Sequence, residues 1–204
     1  MMNFQEQINL VFVGNLQDPA KLSGIGAGNM LLNLLPYALM IGVNTALETL
    51  VSQAYGRKDL RECGLFLHRA WFVITCLSIP IGLSFYKAKD VLIFAGFDSV
   101  TAGYTQHYIT MIFPAMLFNS LGDSIDLFLI SMGFNNVVAW IQLIVIPIHL
   151  LTCWLLVGRY DYGITGAAWA TNLTAVLTFL SQIVYVSRLE KVKEAWYCPT
   201  RRTF

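Results

Sequence analysis

Five long stretches of this chain carry no Asp, Glu, Lys or Arg: residues 22–47, 70–86, 99–122, 127–158 and 162–187. A helix needs about 20 apolar residues to cross the hydrocarbon of a bilayer. Each stretch is near or beyond that length once 63–67 is added in front of the second. The stretch 127–158 joins two spans across Gly133-Phe134-Asn135-Asn136, a turn-like break. Full spans are predicted at 29–53, 63–86, 103–131, 137–157 and 163–186. Backbone polar groups in lipid must be satisfied within their own segment, so the predicted fold class is all-α membrane, an antiparallel transmembrane helix bundle. Composition points the same way. Only 12% of the residues are charged and 56% are hydrophobic, against roughly 25% charged in soluble domains. Such a surface cannot clothe a soluble protein, and no basic tract suggests nucleic acid.

Residues 8–13 are apolar, but Asn3, Gln5, Glu6 and Gln7 precede them, so no full span fits before Gly14. Nor does the segment have the basic start and longer apolar core of a signal peptide. It is expected to be the end of a helix one whose beginning lies outside the chain. Residues 1–187 are then the transmembrane bundle, and 188–204 a tail. Counting spans alternately puts Arg57, Lys58, Arg61, Arg69, Arg188, Lys191, Lys193, Arg201 and Arg202 on one side, and Lys21, Lys87, Lys89 and Arg159 on the other. Cytoplasmic loops carry the basic excess, which places 57–69 and the tail in the cytoplasm.

Cys63, Cys76, Cys153 and Cys198 lie in or beside spans without a CxxC spacing, so they read as reduced packing residues rather than a disulfide framework or zinc site. Asn172-Leu173-Thr174 matches a glycosylation sequon but lies within a span, where it reads as meaningless. No phosphate loop, nucleophile motif or metal-ligand cluster is present, so no enzyme activity, metal or cofactor is expected.

The run Asn44-Thr45-Ala46-Leu47-Glu48-Thr49-Leu50-Val51-Ser52-Gln53-Ala54-Tyr55-Gly56, followed by Gly64, Leu67, Arg69 and Trp71, resembles the second-to-third helix hairpin of the multidrug and toxic compound extrusion (MATE) proteins. The most specific part is Ser52, Gln53, Ala54, Tyr55 and Gly56. Gly14-Asn15-Leu16 resembles the loop closing their first helix, Pro114 with Gly133 the fourth helix, Pro147-Ile148-His149 with Trp154-Leu155-Leu156-Val157 the fifth, and Gly163-Ile164-Thr165-Gly166-Ala167-Ala168 the start of the sixth. The resemblance implies the amino-terminal six-helix lobe of a twelve-helix transporter, entered within helix one. It departs from the family at Asp126, where a basic residue is usual. The implied function is half of a cation-coupled antiporter that exports organic cations and other xenobiotics, with protons expected ahead of sodium. The implied partners are the lipid bilayer and a carboxy-terminal lobe or second half-size chain, in a plasma or vacuolar membrane. A lipid-linked oligosaccharide flippase of the same superfamily and a non-transporting truncated membrane protein stay open as alternatives.

Polar groups inside spans are costly and usually face a bundle interior or cavity. Glu48 and Arg69 lie at equal distance from the hairpin turn near Lys58, which predicts a structural ion pair; proton coupling through Glu48 is the other reading. Asp123 and Asp126, three apart, share a helix face. They either share a proton or meet water and headgroups at the cytoplasmic end. Asn33, Tyr37 and Asn44, and Thr171, Thr174, Thr178 and Ser181, recur at helical spacing, which suits interhelical hydrogen bonds or a substrate lining. His149 falls near the centre of the span 137–157, the fifth helix when the partial helix one is counted, with Cys153 one turn on. The resemblance implies that these two positions face a cavity used for cation coupling; a neutral buried histidine is the other reading. A substrate or ion cavity of His149, Cys153, Asn33, Asn44 and Thr171 is expected, with Asn33, Asn44 and Thr171 as candidate partners of the imidazole.

Overall fold

A computed structural model describes residues 2–189. Among them the chain is a bundle of helices without strands: α1 Met2–Gly14, α2 Pro19–Leu32, α3 Ala38–Gly56, α4 Leu60–Phe85, α5 Ala88–Phe94, α6 Ser99–Ser131, α7 Asn135–Cys153 and α8 Gly163–Arg188. Leu60–Phe85, Ser99–Ser131, Asn135–Arg159 and Gly163–Arg188 are each long and apolar enough to cross a membrane. The expected tail falls mostly at 190–204, outside the described residues.

Caps move several predicted boundaries. The span expected at 29–53 begins at Pro19, because Asp18 accepts from the N–H groups of Ala20 and Lys21 at 3.1 and 3.3 Å and Pro19 suits the first turn. The span expected at 103–131 begins at Ser99, where Asp98 accepts from Val100 and Thr101 at 3.1 and 2.9 Å. The Lys21 N–H holds the Asp18 carboxyl below the ordinary carboxylate range, and Thr101 does the same for Asp98, through its hydroxyl and its backbone N–H. The short helix α5 was not expected.

Three breaks in the helical ladder shape the bundle. Between α2 and α3 a π-helical turn spans Asn33–Tyr37 and contains Pro36. Proline has no N–H to give, so the ladder slips locally to a wider register. A second π-helical turn, Trp154–Arg159, ends α7. In α6, Pro114 opens the ladder, and a side chain from α8 fills the gap. Asn172 Nδ2 donates to the Met111 carbonyl at 2.8 Å while its Oδ1 accepts from the Ala115 N–H at 2.7 Å. Those two backbone groups are four residues apart and would bond each other in an unbroken helix.

Helix α2 lies close on α6 because Gly24 and Gly28 leave room. A Cβ on Gly24 would stand 2.7 Å from Tyr104 Cβ, and one on Gly28 would stand 2.6 Å from Tyr108 Cδ1. The approach is used by Thr105 Oγ1, which donates to the Gly24 carbonyl at 3.1 Å. Small residues spaced by four are the means of close helix packing in lipid. Gly24→Ala is expected to push the helices apart and cost about 1–3 kcal/mol. Gly26→Ala, with nothing within 4 Å of the added Cβ, is the control, and equal thermal midpoints for the two variants would refute the close approach.

The α3–α4 hairpin is closed by Leu47, Val51 and Ala54 against Cys63, Leu67 and Ala70, with Ile125, Phe128 and Leu129 of α6 behind them. Ala54 is the buried member of the Ser52–Gly56 motif; Ser52, Gln53, Tyr55 and Gly56 are exposed. The turn runs through Lys58 at φ 62°, with the Asp59 N–H returning to the Ala54 carbonyl at 3.0 Å and the Asp59 side chain capping α4. Lys21–Asp18 and Arg57–Glu62 form ion pairs, and the expected Glu48–Arg69 pair is not seen beside them. Arg69 lies over a groove lined by Val43, Leu47 and Leu50 of α3, and Glu48 is not part of that lining.

Candidate functional site

Helices α1, α7 and α8 meet around a buried polar network. His149, Asn9 and Thr174 are fully buried, and Thr171 is nearly so. The imidazole Nδ1 stands 3.1 Å from Thr174 Oγ1, and Nε2 stands 3.5 Å from Cys153 Sγ. That sulfur also lies 3.3 Å from Asn9 Oδ1, and Asn9 Nδ2 donates to Thr171 Oγ1 at 2.8 Å. Both threonine hydroxyls donate down their own helix, Thr171 to Ala167 and Thr174 to Ala170. Each is therefore an acceptor toward the network, which assigns the proton on Nδ1 to the hydrogen bond with Thr174. The backbones of Gln5 and Ala170 also come within hydrogen-bonding reach of the ring.

The decisive atom is the Cys153 sulfur. It has one hydrogen and two acceptors in reach, His149 Nε2 and Asn9 Oδ1. The thiol donates to Asn9 Oδ1 at 3.3 Å, and His149 Nε2, 3.5 Å away, is a second acceptor in reach when it carries no proton. Competition for that one hydrogen links the imidazole on α7 to Asn9 on α1.

A second polar group flanks the first. Asn33, placed by the π turn, directs Nδ2 to the Glu6 carboxylate at 3.1 and 3.3 Å and to the Asn29 carbonyl at 2.8 Å. Tyr108 donates to Asn29 Oδ1 at 3.0 Å. Of the residues expected together, His149, Cys153 and Thr171 meet in one network, while Asn33 belongs to this flanking group. Asn44 lies elsewhere: it accepts from Ser124 at 2.7 Å and donates to the Ser120 carbonyl at 3.3 Å. The imidazole's partner is Thr174 rather than any of the three residues expected. Asn9 and Glu6 were missed, although Gln5, Asn9 and Val13 recur every four residues and so mark an inward face of α1.

Among the described residues, no group of three or more His, Cys, Asp or Glu side chains is placed to hold a metal ion. A roomier cavity of about 450 Å³, between α4 and α6, is lined by Ser78, Gly82, Phe85, Phe113 and Leu117 among others and includes no member of the network.

A profile of the MatE family matches residues 1–155. The chain belongs to the MatE family. Its curated relatives include Protein DETOXIFICATION 36 of Arabidopsis thaliana, 26% identical over 95% of this chain and 38% of the relative. Protein DETOXIFICATION 17 of the same plant is 29% identical over 93% of this chain and 40% of the relative. Among solved structures, the eukaryotic MATE transporter AtDTX14 superposes with a TM-score of 0.94 at 21% identity, covering 99% of this chain and 45% of that one. An inward-facing multidrug resistance MATE transporter gives 0.81 at 14% identity over 47% of its length. The chain thus spans about two-fifths of the curated relatives it matches and slightly under half of the solved transporters, and it has the fold of one MATE lobe.

Proposed function

We propose that the chain is the amino-terminal half of a cation-coupled antiporter for organic cations and other xenobiotics, with protons as the coupling ion. The observation that carries this reading is the His149–Cys153–Asn9–Thr171 network, a titratable group fully buried between helices and linked by hydrogen bonds to a neighbouring helix. Intramembrane ionisable groups of this kind mark proton relays and ion pathways. The two settings of the Cys153 thiol supply the bistable element that such coupling requires.

Alternating access needs two lobes rocking around a site near the midplane. This chain supplies one lobe, so a carboxy-terminal lobe or a second half-size chain completes the transporter. Proteoliposomes test the division of labour. The chain alone is expected to give no saturable, pH-gradient-driven movement of ethidium, and co-reconstitution with a carboxy-terminal lobe is expected to restore it. Saturable transport by the monomeric chain alone would remove the half-transporter reading.

A further inference from the structure

Below the His149 network, toward the end of α6 and α8 where Ser131 and Arg188 lie, a separate polar pocket is enclosed by α1, α6 and α8. Its walls include Gln5, Asn119, Gly122, Asp123, Asp126 and Gln182. Asp126 is 8% exposed, Gln5 3% and Gln182 2%. Gln182 Nε2 donates to Asp126 Oδ1 at 2.7 Å, and the Gln142 side chain of α7 lies near the same carboxyl. Asp123 shares the α6 face and is exposed. Neither acid has a lysine or arginine at ion-pair distance among the described residues.

The unusual feature is what remains unmade. The Gln5 Oε1 and Gln182 Oε1 acceptors are buried with no hydrogen-bond partner, as is the Asn119 Nδ2 donor. A buried polar atom without a partner costs about 1–3 kcal/mol, so a cluster of them around one space implies an occupant. The space is about 10 Å³, room for a single water-sized guest, whereas pockets for drug-sized ligands run to several hundred Å³. An organic substrate is excluded by size. The two orphan oxygens and the carboxylate all accept, so the guest must bring positive charge or protons. A hard cation takes carboxylate and amide oxygens of this kind, and Asn119 can serve a water that completes its shell.

We propose that this pocket binds one small monovalent cation, a sodium ion or a proton, held by Asp126 and the side-chain oxygens of Gln5 and Gln182, with Asp123 at its edge. Among the described residues, the groups facing Asp126 are Gln5 from α1, Gln142 from α7, Gln182 and Thr178 from α8, and Asn119 and Asp123 from its own helix, of which Asp123 is titratable. The proposal rests on the cation-coupled reading for its role in transport. Binding is measured without transport, so a negative result would leave that reading standing, and a failure of transport would leave the site standing.

The test uses the full chain in detergent, with sodium chloride replacing choline chloride at constant ionic strength. If sodium is the guest, the thermal midpoint rises in a saturable way, by about 3–6 °C at ten times the half-saturating concentration, and potassium does less. Asp126→Asn and Gln5→Leu are expected to abolish the rise. Gly122→Ala provides a variant that keeps every charge, because its Cβ would stand 2.7 Å from Gln182 Oε1 and must displace that oxygen; it is expected to weaken the sodium effect at least severalfold even if Asp126→Asn fails to fold. If the proton is the guest, sodium has no effect and the infrared spectrum shows a protonated-carboxyl band that Asp126→Asn removes. A sodium rise that survives all three substitutions overturns the proposal. So does the absence of both sodium effect and carboxyl band, which would leave the pocket to an ordered water.

Discussion

Asn172→Leu is expected to destabilise the bundle by about 2–4 kcal/mol, because it strips the partners from two backbone groups at once, each costing roughly 1–3 kcal/mol when left unsatisfied. In a chain of this size that corresponds to a fall in thermal midpoint of about 5–10 °C. Pro114 opens the α6 ladder, and the Asn172 amide bridges the Met111 carbonyl and the Ala115 N–H. If Asn172 is needed only because of the proline, then Pro114→Ala lets Ala115 bond Met111 directly and makes Asn172 dispensable. The double variant Pro114→Ala/Asn172→Leu should then be more stable than Asn172→Leu alone, a coupling that a double-mutant cycle measures. Additive costs would show that Asn172 stabilises α6 and α8 by some other means. Asn172→Asp should fall between, since it still accepts from Ala115 but presents an oxygen to the Met111 carbonyl.

The same residue shows where sequence reading stopped. Asn172 belongs to a sequon, and that pattern carries no information about a gap in another helix 57 residues away. Charge-free runs locate the four helices long and apolar enough to cross a membrane, because desolvation is a one-dimensional property: a residue is costly in lipid wherever its helix turns. Which face it presents is a matter of azimuth, and azimuth is set by packing. Glu48 and Arg69 match in depth, yet the groove that Arg69 lines on α3 does not include Glu48, and Asn44, expected beside His149, faces α6. Helix α1 is legible only in part for a related reason: Gln5 and Glu6 mark it as too polar for a full span, but Asn9, inside the apolar run 8–13, turns inward to Thr171. Asp126 was left between shared proton and headgroup contact; its partner Gln182 lies on a helix where only the threonine and serine stripe had been noticed.

In an assembled transporter, His149→Asn is expected to preserve the fold and to change the pH dependence of organic-cation uptake, whereas His149→Leu should lower uptake at every pH by about tenfold or more. The difference follows from what each side chain can do at the same place. Asparagine can still donate to Thr174 and accept from Cys153, so the network linking α7, α8 and α1 can close, but it cannot bind a proton. Leucine leaves the thiol with Asn9 as its one acceptor and removes the polar link to α8, which is why its effect should not depend on pH. The coupling proposed here passes from Nε2 through the Cys153 hydrogen to Asn9, which adds an independent test. Cys153→Ala should disconnect α1 from the histidine and flatten the pH profile even with His149 intact, while Cys153→Ser, a stronger donor and acceptor in the same position, should retain it. Uptake measured in proteoliposomes across a series of internal and external pH values separates these outcomes. Unchanged pH profiles in His149→Asn and Cys153→Ala together would reduce the network to a packing device that satisfies buried polar groups, and proton coupling would have to reside in another part of the transporter.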